Sequence, residues 1–86
     1  MKWPSAKEEL ILCLLAKGEM YGLSLIAASN GGLVRGTTYT VFGRLVKEGF
    51  LASRQELRES GIPRRYYRLT PKGERFLRAK AVWDGV

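Results

Sequence analysis

The stretch GTTYTVFGRLVKEGFLASRQELRESGIPRRYYRLTPKG, Gly36 to Gly73, decides the fold. Its first part has helical spacing. Val41, Phe42, Leu45 and Val46 make an apolar face, and Thr40, Gly43, Arg44 and Lys47 make the opposite one. Thr37 or Thr38 is placed to cap this helix, which runs to about Glu48, and Gly49 stops it. Two strand-like segments follow, Phe50 to about Leu57 and Arg65 to Leu69. Between them lies a polar loop, Arg58 to Arg64, punctuated by Gly61 and Pro63, so the pair reads as a hairpin with a long loop. Tyr67 and Leu69 alternate with Tyr66 and Arg68, which gives the second strand one apolar and one wet face. Thr70-Pro71 opens a last helix, with threonine as cap and proline in the first turn. Phe76, Leu77, Ala81, Val82 and Trp83 supply its apolar side.

Working back toward the N-terminus, Ser5 and Glu8 have the spacing of a capping box. The helix they start has Leu10, Ile11, Leu14 and Leu15 as its core face and ends at Gly18. Leu12 and Cys13 make it apolar nearly all round, which predicts a second burial partner beyond the domain's own core. Cys13 itself reads as a small buried hydrophobe. A second helix spans Tyr21 to about Ser29 and is ended by Asn30-Gly31-Gly32. Leu33-Val34-Arg35 reads as a short extended piece closed by Gly36.

The order is thus helix, helix, short strand, helix, strand, loop, strand, helix. The fold class this predicts is mainly α with a small β-hairpin (α+β), a winged helix-turn-helix with a C-terminal dimerisation helix. In that arrangement the third helix is placed to enter the major groove of DNA. The division expected is a winged-helix DNA-binding domain over residues 1–70 and a C-terminal dimerisation helix over 71–86.

Charge distribution points to the same partner. The 86 residues carry a net +7, but residues 1–34 sum to zero and residues 35–80 carry +8. A basic block on one part of a domain is the footprint of a polyanion. A single cysteine and no histidine exclude an intramolecular disulfide and a cysteine–histidine zinc set, so neither metal nor cofactor is expected. There is no GxxxxGK[ST] phosphate loop and no carboxylate cluster, which speaks against an enzyme. The longest apolar run, Leu10 to Ala16, is too short for a membrane span, and acids occupy the place of a signal-peptide core. A cytoplasmic protein with no membrane partner is expected.

The segments ELILCLLAKGEMYGLSL (Glu9–Leu25), GTTYTVFGRLVKEGFL (Gly36–Leu51) and RRYYRLTPKG (Arg64–Gly73) carry a family resemblance. The chain resembles the PadR-like family of transcription regulators, which implies a DNA-binding repressor acting as a homodimer. It departs from the family's usual leucine at Thr38, proline at Thr40 and glutamate at Val46, and its C-terminal helix is short. A bacterial or phage-encoded protein fits. Some relatives bind flat aromatic effectors between dimer-related helices. The resemblance therefore extends to a small aromatic effector as a further partner, with Trp3 and Trp83 as the residues to watch.

The expected DNA-binding residues are Arg35, Thr37, Thr38, Tyr39, Thr40, Arg44 and Lys47 on or beside the third helix, and Arg58, Arg64, Arg65 and Tyr66 on the wing. Hydroxyls and exposed N–H groups at a helix start can grip phosphate, and arginine can read guanine bidentately. Wing arginines usually meet phosphate or the adjacent minor groove. Each assignment has a plainer alternative. Tyr39 can be a packed aromatic, Arg44 can pair with Glu48, Lys47 and about half of the wing arginines can be solvated charges, and Gly43 can serve packing as well as close approach. The expected dimer interface is Leu12, Phe76, Leu77, Lys80 and Trp83, because a chain this small has too little core to bury both terminal helices. A winged helix used for RNA or protein contact is the competing function, and it would need exposed aromatics such as Tyr39 and Tyr66.

Overall fold

The capping box forms as the sequence predicts. The Ser5 hydroxyl accepts the Glu8 N–H at 3.3 Å, the Glu8 carboxylate accepts the Ser5 N–H at 3.2 Å, and α1 (Ala6–Leu14) starts there. The computed structural model describes the backbone of residues 5–85 and the side chains of residues 5–80. Beyond α1 a 3-10 turn (Leu15–Lys17) ends at Gly18, whose φ of 140° only glycine adopts readily. The chain continues through β1 (Met20–Tyr21), α2 (Gly22–Ala28), α3 (Arg35–Lys47), β2 (Leu51–Glu56), β3 (Arg64–Leu69) and α4 (Pro71–Gly85). Among the described residues this makes four α-helices and one antiparallel sheet of order β1-β3-β2. The architecture is α+β, a winged helix-turn-helix.

Two local expectations are corrected. The short strand is not Leu33–Arg35 but Met20–Tyr21, which pairs with β3 through Met20–Tyr67 and Tyr21–Tyr66. Two residues carry too weak a pattern to be read as a strand alone, and the pairing comes entirely from the neighbouring hairpin. The chain at 33–34 is an entry to α3 instead. Leu33 is buried, and its N–H donates to the Ser29 hydroxyl at 3.0 Å. Val34 is the N-cap in extended conformation, without a side-chain cap. The helix therefore begins about one half-turn before the threonines expected to cap it.

One core joins all layers. Ile11, Leu12 and Leu15 meet Leu25, Phe42 and Leu45, with Leu51, Tyr67 and Phe76 closing the far side. The rings of Phe42 and Tyr67 lie 4.5 Å apart, and Phe50 meets Phe76 edge-on at 5.8 Å. This placement corrects the dimer assignment at two positions. Leu12 is 0% exposed and Phe76 is 6% exposed, so both are spent within the domain's own core. Cys13 is left outside that core, exposed rather than buried. Within the chain, α1 packs against α2 and α4. Leu77 and Lys80 are half-buried, and Lys80 lies 3.7 Å from Glu9. Trp3 and the side chain of Trp83 lie outside the described residues, and with them the aromatic-effector expectation.

The start of α4 clasps the end of α3. The Thr70 hydroxyl accepts the Gly73 N–H at 3.2 Å as a cap and donates to the Gly49 carbonyl. Lys72 Nζ donates to the Glu48 carbonyl at 2.7 Å. These carbonyls are among those a helix terminus leaves unpaired. The Phe50 carbonyl presses against Gly73 where any Cβ would stand, so no larger residue fits there.

Candidate nucleic-acid interface

Helical spacing from the observed start determines which side chains of α3 reach outward. Thr38, Phe42 and Leu45 share the inner face, Thr37, Thr40, Gly43, Arg44 and Lys47 lie on the exposed one, and Arg35, in line with Phe42, is exposed because it begins the helix. Thr38 is 2% exposed and its hydroxyl donates to the Val34 carbonyl, one turn back. Its assignment as a DNA-binding residue is corrected, since its one hydroxyl is turned into the protein and satisfied there. Thr37 and Thr40 remain on the surface.

Tyr39 stands between the two roles open to it. It is 38% exposed, yet its ring packs edge-on against Phe42 at 5.4 Å. A Cβ at Gly22 would sit 3.0 Å from its hydroxyl oxygen, so Gly22 is what lets the ring lie against α2. Burial is the main cause that raises the phenol's pKa above its ordinary value, with nearby Tyr21 adding to it and Arg35 opposing.

Arg44 has an acidic neighbour, but not Glu48. Its guanidinium lies 3.6 Å from the Glu8 carboxylate, which is itself buried, while the arginine side chain stays 55% exposed. The pair links the polar side of α3 to the N-terminus of α1. An arginine that exposed retains donors for an outside acceptor.

On the wing, strand alternation separates the cations. Register places Tyr67 opposite Ser53 and Arg65 opposite Gln55, whereas Tyr66 lies opposite Arg54 and Arg64 opposite Glu56. Tyr67 faces the core, so Arg65, two residues away, lies on the sheet face turned toward α3. It is exposed, and its guanidinium donates to the Ser53 hydroxyl at 3.3 Å. Arg54, Arg64, Tyr66 and Arg68 occupy the other face. There Arg54 binds Glu19 through two hydrogen bonds of 2.6 and 2.9 Å, and lies 4.5 Å over the Tyr66 ring. Tyr66 is 5.9 Å from Tyr21, which carries Arg64 over its ring at 4.7 Å. The hydrogen bond to Arg54 is the first cause that lowers the Glu19 pKa, and the same bond raises that of Arg54.

Arg58 lies in the exposed wing loop, where Leu57 and Ile62 are also open to solvent. Between α3 and the wing runs an open cleft of about 400 Å3, lined by Tyr39, Gly43, Val46, Ser53, Arg65 and Tyr67. Sequence reading did not assign Ser53 or Val46 to any site. Ser53 was within reach, because it stands two residues after the core residue Leu51 and thus on the same face. Among the described residues no helix is long and apolar enough to cross a membrane, and no group of His, Cys, Asp and Glu is arranged to hold a metal.

A helix-turn-helix whose third helix offers cations and hydroxyls beside a hairpin wing is the winged-helix class of regulator. The Transcriptional regulator PadR-like family matches residues 11–79. Among solved structures, a PadR-like transcription factor from Bacteroides fragilis is 35% identical, with a TM-score of 0.79 over 88% of this chain and 78% of that one. A PadR family transcription regulator from hypervirulent Clostridium difficile is 28% identical, with a TM-score of 0.75 over 88% of this chain and 83% of that one. Bacillus subtilis PadR, solved in complex with operator DNA, shares the fold at a TM-score of 0.78 and 24% identity. Matched residues cover 90% of this chain and 47% of that protein, so this chain spans about half its length. Among curated proteins, none matches significantly. The chain belongs to the PadR-like family of transcriptional regulators.

Proposed function

We propose that this PadR-like regulator is a repressor that binds double-stranded DNA sequence-specifically as a homodimer, with α3 in the major groove and the wing on the backbone or adjacent minor groove. The observation that carries the reading is the continuity of one surface. Thr37, Thr40, Arg44 and Lys47 share the exposed side of α3, with Arg35 at the helix start, and the open cleft beside Gly43 leads from that side to Arg65 on the wing. Operator binding by Bacillus subtilis PadR, which shares the fold, supports it. RNA binding is less well supported. Tyr66 is engaged by Arg54 and Tyr21, and Tyr39 rests on Gly22 and Phe42, so neither ring is offered freely for stacking. The protein would act in the compartment that holds the DNA, a bacterial cytoplasm.

With Leu12 and Phe76 used internally, the dimer contact falls to Leu77, Lys80 and the rest of α4 through Trp83. A domain of this size buries too small a share of its surface to be robust alone, which favours a second copy. The test is selection of bound sequences from a random duplex library, with sedimentation of the same preparation. The expected result is a palindromic consensus with half-sites about one helical turn, or a multiple of it, apart, bound by a particle of twice the 9.7 kDa chain mass. A 9.7 kDa monomer with no preference among duplexes would overturn the reading.

A further inference from the structure

Gly43 stands in the middle of α3, where glycine is the least favourable residue after proline. Three other glycines have an internal reason to lack a side chain: a Cβ at Gly22 would press on Tyr39, one at Gly32 on Leu10, and one at Gly73 on the Phe50 carbonyl. Gly43 has none, since a Cβ there meets nothing within 4 Å. It opens instead onto the cleft between α3 and the wing. That cleft has apolar walls from Tyr39, Val46 and Tyr67, no acidic lining residue, and a polar edge on the wing side. The edge is the exposed Arg65 guanidinium with its Ser53 partner.

We propose that this cleft is the seat of one deoxyribose-phosphate unit of duplex DNA. The sugar lies over Gly43 and against Val46, and the phosphate takes the Arg65 guanidinium. Ser53 is a positioning residue that holds Arg65 toward α3. Sugar and phosphate are the same in every nucleotide, so the seat contributes to affinity without reading sequence. The inference rests on the DNA-binding reading above and deepens it by giving the backbone a place between helix and wing.

The experiment uses the full chain with a selected duplex and a scrambled duplex of equal length. Thermal midpoints and dissociation constants are measured for the parent and for Gly43→Ala, Gly43→Leu, Ser53→Ala and Ser53→Thr. Gly43→Ala should raise the midpoint by roughly 4 °C, because the helix gains a better former and the methyl meets no protein atom. The same variant should weaken both duplexes by about tenfold, as loss of a close backbone contact requires, with Gly43→Leu weaker again. Ser53→Ala should weaken both and make the salt dependence shallower, and Ser53→Thr, which keeps the hydroxyl, should restore both properties.

Unchanged affinity in Gly43→Leu would overturn the seat, and so would a lowered midpoint in Gly43→Ala. Loss confined to the selected duplex would put a base in the cleft instead and also overturn it. A parent chain that binds neither duplex would defeat the DNA-binding reading and take the seat with it, a result distinct from normal parental binding with indifferent variants.

Discussion

The two faces of the wing come from one run of sequence, RRYYR at 64–68, and have opposite characters. On the face turned away from α3, the cations are engaged by acids and rings of the protein itself. Arg54 is held by Glu19 and Glu56, Arg64 lies over Tyr21, and Tyr66 lies between Tyr21 and Arg54. On the face turned toward α3, Tyr67 is core and Arg65 has a neutral partner, the Ser53 hydroxyl. A guanidinium paired to a carboxylate has little net attraction left for phosphate, whereas one held by a hydroxyl keeps its full charge. The difference teaches that a basic segment is not a uniform patch: the pleat sorts its charges, and the acids of neighbouring strands decide which remain available.

The largest effect that can break this comparison is on stability. Tyr67→Ala should destabilise the domain by on the order of 3–5 kcal/mol, since it removes a buried ring packed at a tilt against Phe42. Tyr66→Ala, one residue away, should lose only about 1 kcal/mol of aromatic and cation–π contact. Denaturant titration of both variants decides it, and equal losses would mean that the faces are not distinct in packing. Next in size is the helix against the wing. Arg44→Ala should lose roughly 1–3 kcal/mol on the selected site and little on a scrambled duplex, if that arginine reads a base. Folding of the variant must be checked at the same time, because the partial ion pair with Glu8 is lost too.

A smaller effect compares the wing's own arginines. Arg65→Ala should make the log–log salt slope of DNA binding shallower by about one unit, or about two when both subunits lose the contact. Arg54→Ala should leave that slope unchanged, since its charge is already matched by Glu19. Equal slopes in the two variants would erase the distinction between the faces.

The smallest effect is in acid. The bond to Arg54 holds the Glu19 carboxyl below its ordinary pKa, so the pair's contribution to stability is complete above the unfolded carboxylate's pKa. It is lost as pH falls through the lower, folded value. The thermal midpoints of the parent and of Glu19→Gln should therefore differ slightly at neutral pH and converge in acid. A constant gap down to low pH would mean that the carboxylate's charge is not what the arginine uses. Both side chains are open to solvent, so screening keeps the difference small.

Much of this was written in local sequence. The Ser5–Glu8 box, the Gly18 and Gly49 stops and the Thr70-Pro71 start all depend on bonds spanning a few residues, the hairpin on pairs 8 to 18 residues apart, and all formed where those residues stand. The face of α3 that carries Arg44 and Lys47 follows from a period of 3.6 residues and was legible in the same way. Local pattern could not tell which outward or inward neighbour a side chain would meet. Thr38 looked like a surface hydroxyl until the helix began at Arg35 and turned it inward. Cys13 and Leu12 exchanged their expected roles because burial of α1 depends on where α2 and α4 cross it.

β1 exists only because β3 pairs with it, and Glu19 neutralises Arg54 across 35 positions of sequence. Secondary structure and overall class were set by short-range bonding and periodicity, which the chain carries in itself. Which arginines stay free, which threonine is hidden and where a cleft opens between helix and wing depend on contacts between distant segments, and only the packed structure brings those together.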